Sequence, residues 1–197
     1  WNRKIKPPVS DADEEWLNDD LNWLREAFSE EHFQSIRTIT PTKYFYDRTF
    51  DGTEEDAYFI LNRTKELMRI QKEKIDLTFF DDSPTYAEDG SILSTPSDAI
   101  DGSWSTAAGS YQENKNGKTI ISIETSQLKN TISLIATIAH ELSHEILLGE
   151  GWLKENDEFL TDLTAVFYGF GIFLGNSQFT FSNFNDGWST RGQGYLP

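Results

Sequence analysis

Residues 140–144 read His-Glu-Leu-Ser-His, and their types and spacing suit a hydrolytic metal site. On an α-helix, positions four apart lie one turn apart on the same face. The imidazoles of His140 and His144 can therefore reach one ion, with Glu141 projecting beside them. Two neutral imidazoles hold a divalent cation, and an adjacent carboxylate can take a proton from water on that cation. The competing reading is a pair of core or surface histidines with no ligand. Ile135, Ile138, Leu142 and Ile146 follow an i, i+3, i+7, i+11 pattern, so one amphipathic helix carries the motif, with the histidines off its apolar stripe.

A hydrolytic zinc site keeps three protein ligands and leaves one position for water. The chain has no cysteine, and its third histidine, His32, sits far upstream in a polar, acidic stretch that reads as surface. The third ligand should then be a carboxylate soon after the first helix. Glu158 is the best candidate, at the start of an apolar helix that must lie against the first. Asp162, one turn on, is placed to accept a hydrogen bond from a ligand imidazole and fix its tautomer. Glu150, Glu155 and Asp162 itself are rival ligands. Glu158 and Asp162 also fit as first-turn acids favoured by the helix dipole. A second electrophile besides the metal would come from Tyr111, Tyr168, Arg191 or Tyr195.

Several elements must position these groups. Leu17, Leu21, Leu24 and Phe28 recur at helical spacing, which predicts an acidic accessory helix over about 13–28. Arg37-Thr38-Ile39-Thr40-Pro41 is strand-like and stops at proline. Thr53 can cap a helix running to about Gln71. Residues 75–80 read as a buried strand, and 81–103 as a long loop rich in Asp, Ser, Pro and Gly. A strand is predicted over 104–112, with a hairpin turn at 114–117 leading into a strand over 118–124. Asn130 or Thr131 can cap the histidine helix, and Gly149 or Gly151 can end it. The following helix, about 157–174, is apolar and aromatic, with Gly169 and Gly171 permitting close approach of a neighbour. The tail from Asn176 carries no clear periodicity.

At 197 residues the chain is most simply one domain, 1–197. Its formal charge of −16 argues against nucleic acid, and equally against an anionic membrane surface. No apolar run approaches the roughly 20 residues of a membrane-spanning helix. The absence of cysteine excludes disulfides, and with no visible signal peptide the expected compartment is cytoplasmic. The chain begins at Trp1 and stops after Pro197, which suggests a trimmed piece, so a missing signal carries little weight.

The motif HELSH followed by Glu158-Phe159-Leu160-Thr161-Asp162 resembles the zincin superfamily, in the branch that combines HExxH with a glutamate in an ExxxD motif. More narrowly, the chain is similar to a family of uncharacterised bacterial proteins with zincin-like domains. The resembling stretches are PTKYFYDRTFDGTEEDA, AAGSYQEN with TIISIE, IAHELSHEILLGE, EFLTDLTAVFYGFGIFLGN and RGQGYL, covering most of 37–197 but not the N-terminal helix. The resemblance implies an α+β fold: a small mixed β-sheet packed on the HExxH helix and a following apolar helix. The strand at 104–112 would form the cleft edge. It also implies His140, His144 and Glu158 as zinc ligands, Glu141 as catalytic base and Asp162 behind the ligands. Glu145 departs from the pattern, because zincins usually carry an uncharged residue directly after the second histidine.

The expected activity is hydrolysis of a peptide or protein substrate by a zinc metallopeptidase. The alternative is a non-catalytic module that holds metal and recognises a protein partner. A structural zinc site has no need of Glu141 and is closed by a fourth protein ligand.

Overall fold

Ser10 caps the first helix in the computed structural model, which describes residues 9–81, 85–86, 92–94, 109–113, 117–177, 179–184 and 187–192. The Ser10 hydroxyl accepts from the Asp13 amide while the Asp13 carboxylate answers the Ser10 backbone, so α1 (Asp11–Phe28) begins two residues before the predicted start at about 13. Leu24 is fully buried, and Trp16, Leu17, Leu21, Trp23 and Phe28 pack half-buried on the core. A short α2 (Glu30–Ser35) follows.

Thr53 and Asp56 form a second capping box, and it starts α3 (Glu54–Leu67). This helix ends earlier than its apolar pattern predicts. Arg69 takes a left-handed φ of 60°, while its amide bonds to Glu66 O and that of Ile70 to Lys65 O. These are the two bonds of a Schellman cap, whose left-handed position usually holds glycine. An L side chain there costs about 1–2 kcal/mol.

The sheet has the order β1 (Ile75–Phe80), β5 (Thr119–Glu124), β4 (Gly109–Glu113). β5 runs parallel to β1, with Ile75 opposite Thr119, and antiparallel to β4, with Glu113 opposite Thr119. The sheet is therefore mixed, and β4 stands at its edge. Leu77, Ile121 and Ile123 are buried. Above them lies α4 (Thr131–His144), capped by the Asn130 side chain and buried along Leu134, Ile135, Ile138, Ala139 and Leu142. The architecture is α+β.

Both helices of the motif widen into a π-helical turn, α4 at Glu145–Gly149 and α5 (Glu158–Ala165) at Val166–Phe170, before α6 (Gly171–Ser177). Gly169 lies in the second turn at φ 97°. A Cβ there would collide with the Arg37 carbonyl, while the Gly169 carbonyl accepts from Ile39 N at 2.9 Å. Segment 37–41 thus belongs to no sheet, and the Ile39 amide bonds to a helix kink instead. The run Glu158–Ser177 has a mean hydropathy of 1.2 over its most apolar window, long and apolar enough to cross a bilayer by composition, yet 67% of that window is buried within the protein. It is longer than the sequence reading allowed, and it serves as the core helix.

Within 81–103, predicted as loop, β2 (Thr85–Tyr86) pairs with β3 (Ile92–Ser94). The tail holds an antiparallel pair, β6 (Phe179–Phe184) and β7 (Gly187–Gly192), where no element is predicted from sequence. Of the strand predicted at 104–112, residues 104–108 lie outside the described residues. The described part is β4, which starts at Gly109.

Candidate metal centre

Helix α4 delivers His140 and His144 to one side, and α5 brings Glu158 to them from its first residue. Asp157 caps that helix by accepting from Leu160 N at 3.0 Å, which fixes where the Glu158 side chain emerges. Asn156 Nδ2 donates to Glu158 Oε1 at 2.7 Å, leaving Oε2 for the histidines. Oε2 lies 3.1 Å from His140 Nε2 and 3.5 Å from His144 Nε2. Neither contact has the orientation of a hydrogen bond, and Oε2 is buried without such a partner. All three ligand atoms lie within 4.8 Å of one another. An ion that binds nitrogen and oxygen at about 2.0–2.1 Å in tetrahedral geometry needs donors roughly 3.3 Å apart. The two glutamate–histidine separations fall on either side of that value and the third lies within 4.8 Å, so the His-His-Glu group could hold a metal ion.

The rings are oriented from behind. Asp162 Oδ1 lies 2.7 Å from His140 Nδ1, and this carboxylate is almost fully buried. Thr161 does the same for the second ring. Its hydroxyl donates to Asp157 O at 2.6 Å and so is free to accept from His144 Nδ1, 3.4 Å away. Each outer nitrogen thus faces an acceptor and each Nε2 is left for the ion. Neither Thr161 nor Asn156 was singled out from sequence. Thr161 was legible, since it stands three residues after Glu158 on the same helical face.

The site is strongly negative. Burial opposes a charge on His140, but Asp162, Glu158 and Glu141 outweigh it and push the ring pKa up to about 10. The two imidazoles in turn hold Glu158 well below the usual carboxyl range. Burial raises Glu141 against the pull of the histidines, with Glu158 adding to the rise. Three carboxylates around two imidazoles call for a positive charge, which a divalent cation supplies better than a proton. Glu141 is only 4% exposed, and its Oε2 is buried with no hydrogen-bond partner.

The rival ligands do not join this group. Glu150 and Glu155 are exposed, and among the described residues the cluster holds three ligands and no fourth. Tyr111 of β4 is beside the site, its ring centroid 5.8 Å from that of His144, but its hydroxyl donates to Glu145 at 3.2 Å. Tyr168 packs against Phe28 and His32, ten residues down the helix from Glu158, about 15 Å at helical rise. Tyr195 and the Arg191 side chain lie outside the described residues. His32 stays out of the site, yet it is not a surface residue: its ring is half-buried and stacked on Phe167. Glu145 does not face solvent either. It is 2% exposed, ion-paired to Lys72 at 2.9 Å and hydrogen-bonded by Thr119, which ties the end of α4 to the sheet.

The chain matches no family model, and no curated protein or solved structure matches it. The likeness to zincins therefore rests on the motif residues alone.

Proposed function

We propose that this protein is a zinc-dependent metallopeptidase of the zincin type, with His140, His144 and Glu158 as ligands and Glu141 as general base. The observation that carries this reading is the buried, partnerless Oε2 of Glu141 next to three convergent ligand atoms. A carboxylate held desolvated in that way has one unmet need, a proton donor. Zinc suits the all-nitrogen-and-oxygen donor set, and when bound it acidifies water to a pKa near 7 and polarises a carbonyl. Glu141, its own pKa raised by burial, is tuned to take the proton from that water and pass it to the leaving amine. Asp162 and Thr161 take up the outer Nδ1 of each imidazole, so that Nε2 faces the ion side. Among the described residues β4 pairs only with β5, so its outer edge suits an extended peptide laid down as an added strand. The absence of a fourth ligand among the described residues favours this reading over a closed, non-catalytic zinc module.

The test is elemental analysis of the purified protein combined with cleavage of a peptide library. About one zinc per chain and metal-dependent cuts are expected. Protein that binds no zinc when supplied with it, or that holds zinc yet cuts no peptide, rejects the proposal.

A further inference from the structure

A cavity of about 390 Å3 opens between α2, α3 and segment 36–45, and three arginines line it: Arg37, Arg63 and Arg69. That is unexpected in a chain of charge −16. No acidic residue is among the lining residues. Arg63 is committed, paired with Glu66 at 2.8 Å and donating to Phe45 O. Arg37 and Arg69 have no carboxylate partner among the described residues. Arg37 donates to the Tyr44 hydroxyl at 2.7 Å, and Arg69 to Ser35 Oγ at 2.9 Å and His32 Nδ1 at 3.0 Å. Because a guanidinium cannot accept, His32 Nδ1 is the acceptor, and the neutral ring carries its proton on Nε2. That nitrogen is buried with no hydrogen-bond partner.

Arg69 also occupies a backbone position that glycine would fill without strain. The cap of α3 does not require an arginine, so its value lies in the guanidinium. Ile36, Ile39, Phe45 and Leu67 supply apolar walls beside the charged groups. The volume matches a small organic molecule.

We propose that this cavity binds a phosphate monoester on a small apolar body, with Arg37 and Arg69 pairing the phosphate oxygens. Two guanidinium groups without carboxylate partners match the roughly −1.5 to −2 charge of a phosphate monoester better than the single charge of a carboxylate. The walls then cover the body. This site is separate from the metal centre and stands whether or not that centre is catalytic.

Calorimetric titration of the full zinc-supplied chain tests it, with phenyl phosphate, benzoate and inorganic phosphate as probes. Phenyl phosphate should bind once per chain with a dissociation constant of roughly 0.1 mM, as expected for a ligand of that size. Benzoate and inorganic phosphate should each bind about tenfold more weakly. Arg69→Gly should weaken phenyl phosphate about tenfold or more, and relief of the left-handed backbone offsets part of the loss of its bonds to Ser35 and His32, so the variant should still fold. Arg37→Gln, at an exposed residue, should weaken it similarly and carries the test if Arg69→Gly fails to fold. Glu158→Ala, which removes a metal ligand, should leave it unchanged. The proposal is overturned if phenyl phosphate does not bind, if both arginine variants bind it normally, or if Glu158→Ala abolishes binding. Benzoate binding as tightly overturns the phosphate assignment, and inorganic phosphate binding as tightly overturns the apolar body.

Discussion

His140 Nδ1 and Asp162 Oδ1 lie 2.7 Å apart across the interface between α4 and α5, so the tautomer of a histidine on one helix is set by the other helix. Asp162→Ala should therefore weaken zinc binding by roughly 10–100-fold without removing a ligand. Glu158→Ala should cost more, and Glu155→Ala, at an exposed residue, almost nothing. Chelator competition ranks the three, and a larger loss from Glu155→Ala than from Glu158→Ala would sink the ligand assignment.

Glu141→Gln should abolish peptide cleavage while zinc content stays near one per chain, since the amide keeps the shape but cannot take a proton. It should also raise the stability of the metal-free protein by about 1 kcal/mol, because an amide costs less to bury than a carboxylate. Turnover assays and thermal melts read the two effects. Wild-type turnover in this variant would remove Glu141 as the base.

Loss of the Glu145 carboxylate removes a buried ion-pair partner of Lys72 and withdraws an acceptor used by Tyr111 and Thr119. Glu145→Ala should destabilise the fold by about 3 kcal/mol. Zinc affinity should change by less than about tenfold, since this carboxylate is spent on the sheet. Urea unfolding and chelator titration together check that separation.

Stability of the metal-free protein should fall as pH rises. The His140 pKa is raised from 6.5 to about 10, so its contribution is complete below pH 6.5 and drains away as pH climbs through 10. Glu158, held low, adds stability present above 4.5 and lost on strong acidification. The metal-free optimum thus lies between those two values. Zinc binding needs unprotonated ligands and strengthens over the same rise in pH. Denaturant curves at about pH 6 and pH 9, with and without zinc, should show a zinc-induced gain that is larger at the higher pH. A gain that shrinks with pH contradicts this account.

Gly169→Ala should destabilise by about 2 kcal/mol or more, because its φ of 97° is costly for alanine and the new methyl meets the Arg37 carbonyl. Equilibrium unfolding measures it, and a neutral effect would mean that segment 37–41 moves aside freely.

What could be read from the sequence was local. Residues 75–80, the Thr53 cap and the start of the apolar helix at Glu158 follow from periodicity and capping chemistry, and the structure has them there. The juxtaposition of His140 and His144 follows the same logic, since helical spacing brings them together. What escaped depends on distant partners. Arg37-Thr38-Ile39 alternates like a strand, but its hydrogen-bond partner is a glycine kink far along the chain. Glu145 is explained by Lys72, and nothing near residue 145 announces it. In the tail, Phe179 and Phe181 alternate with Thr180 and Ser182 ahead of an Asp-Gly pair, a legible hairpin cue in the sequence among many Gly and Asn residues.

The candidate ligands lie on both sides of the connection between α4 and α5, with His144 before it and Glu158 after it. An ion held by both would close that stretch into a ring, acting as a reversible cross-link where the chain has no cysteine for a permanent one. Its removal should loosen α5 first and uncover Leu160, Leu163 and Phe167 to proteolysis. The lifetime of the chain in a cell would then follow the zinc supply, and limited digestion with and without chelator would reveal the same dependence in the test tube.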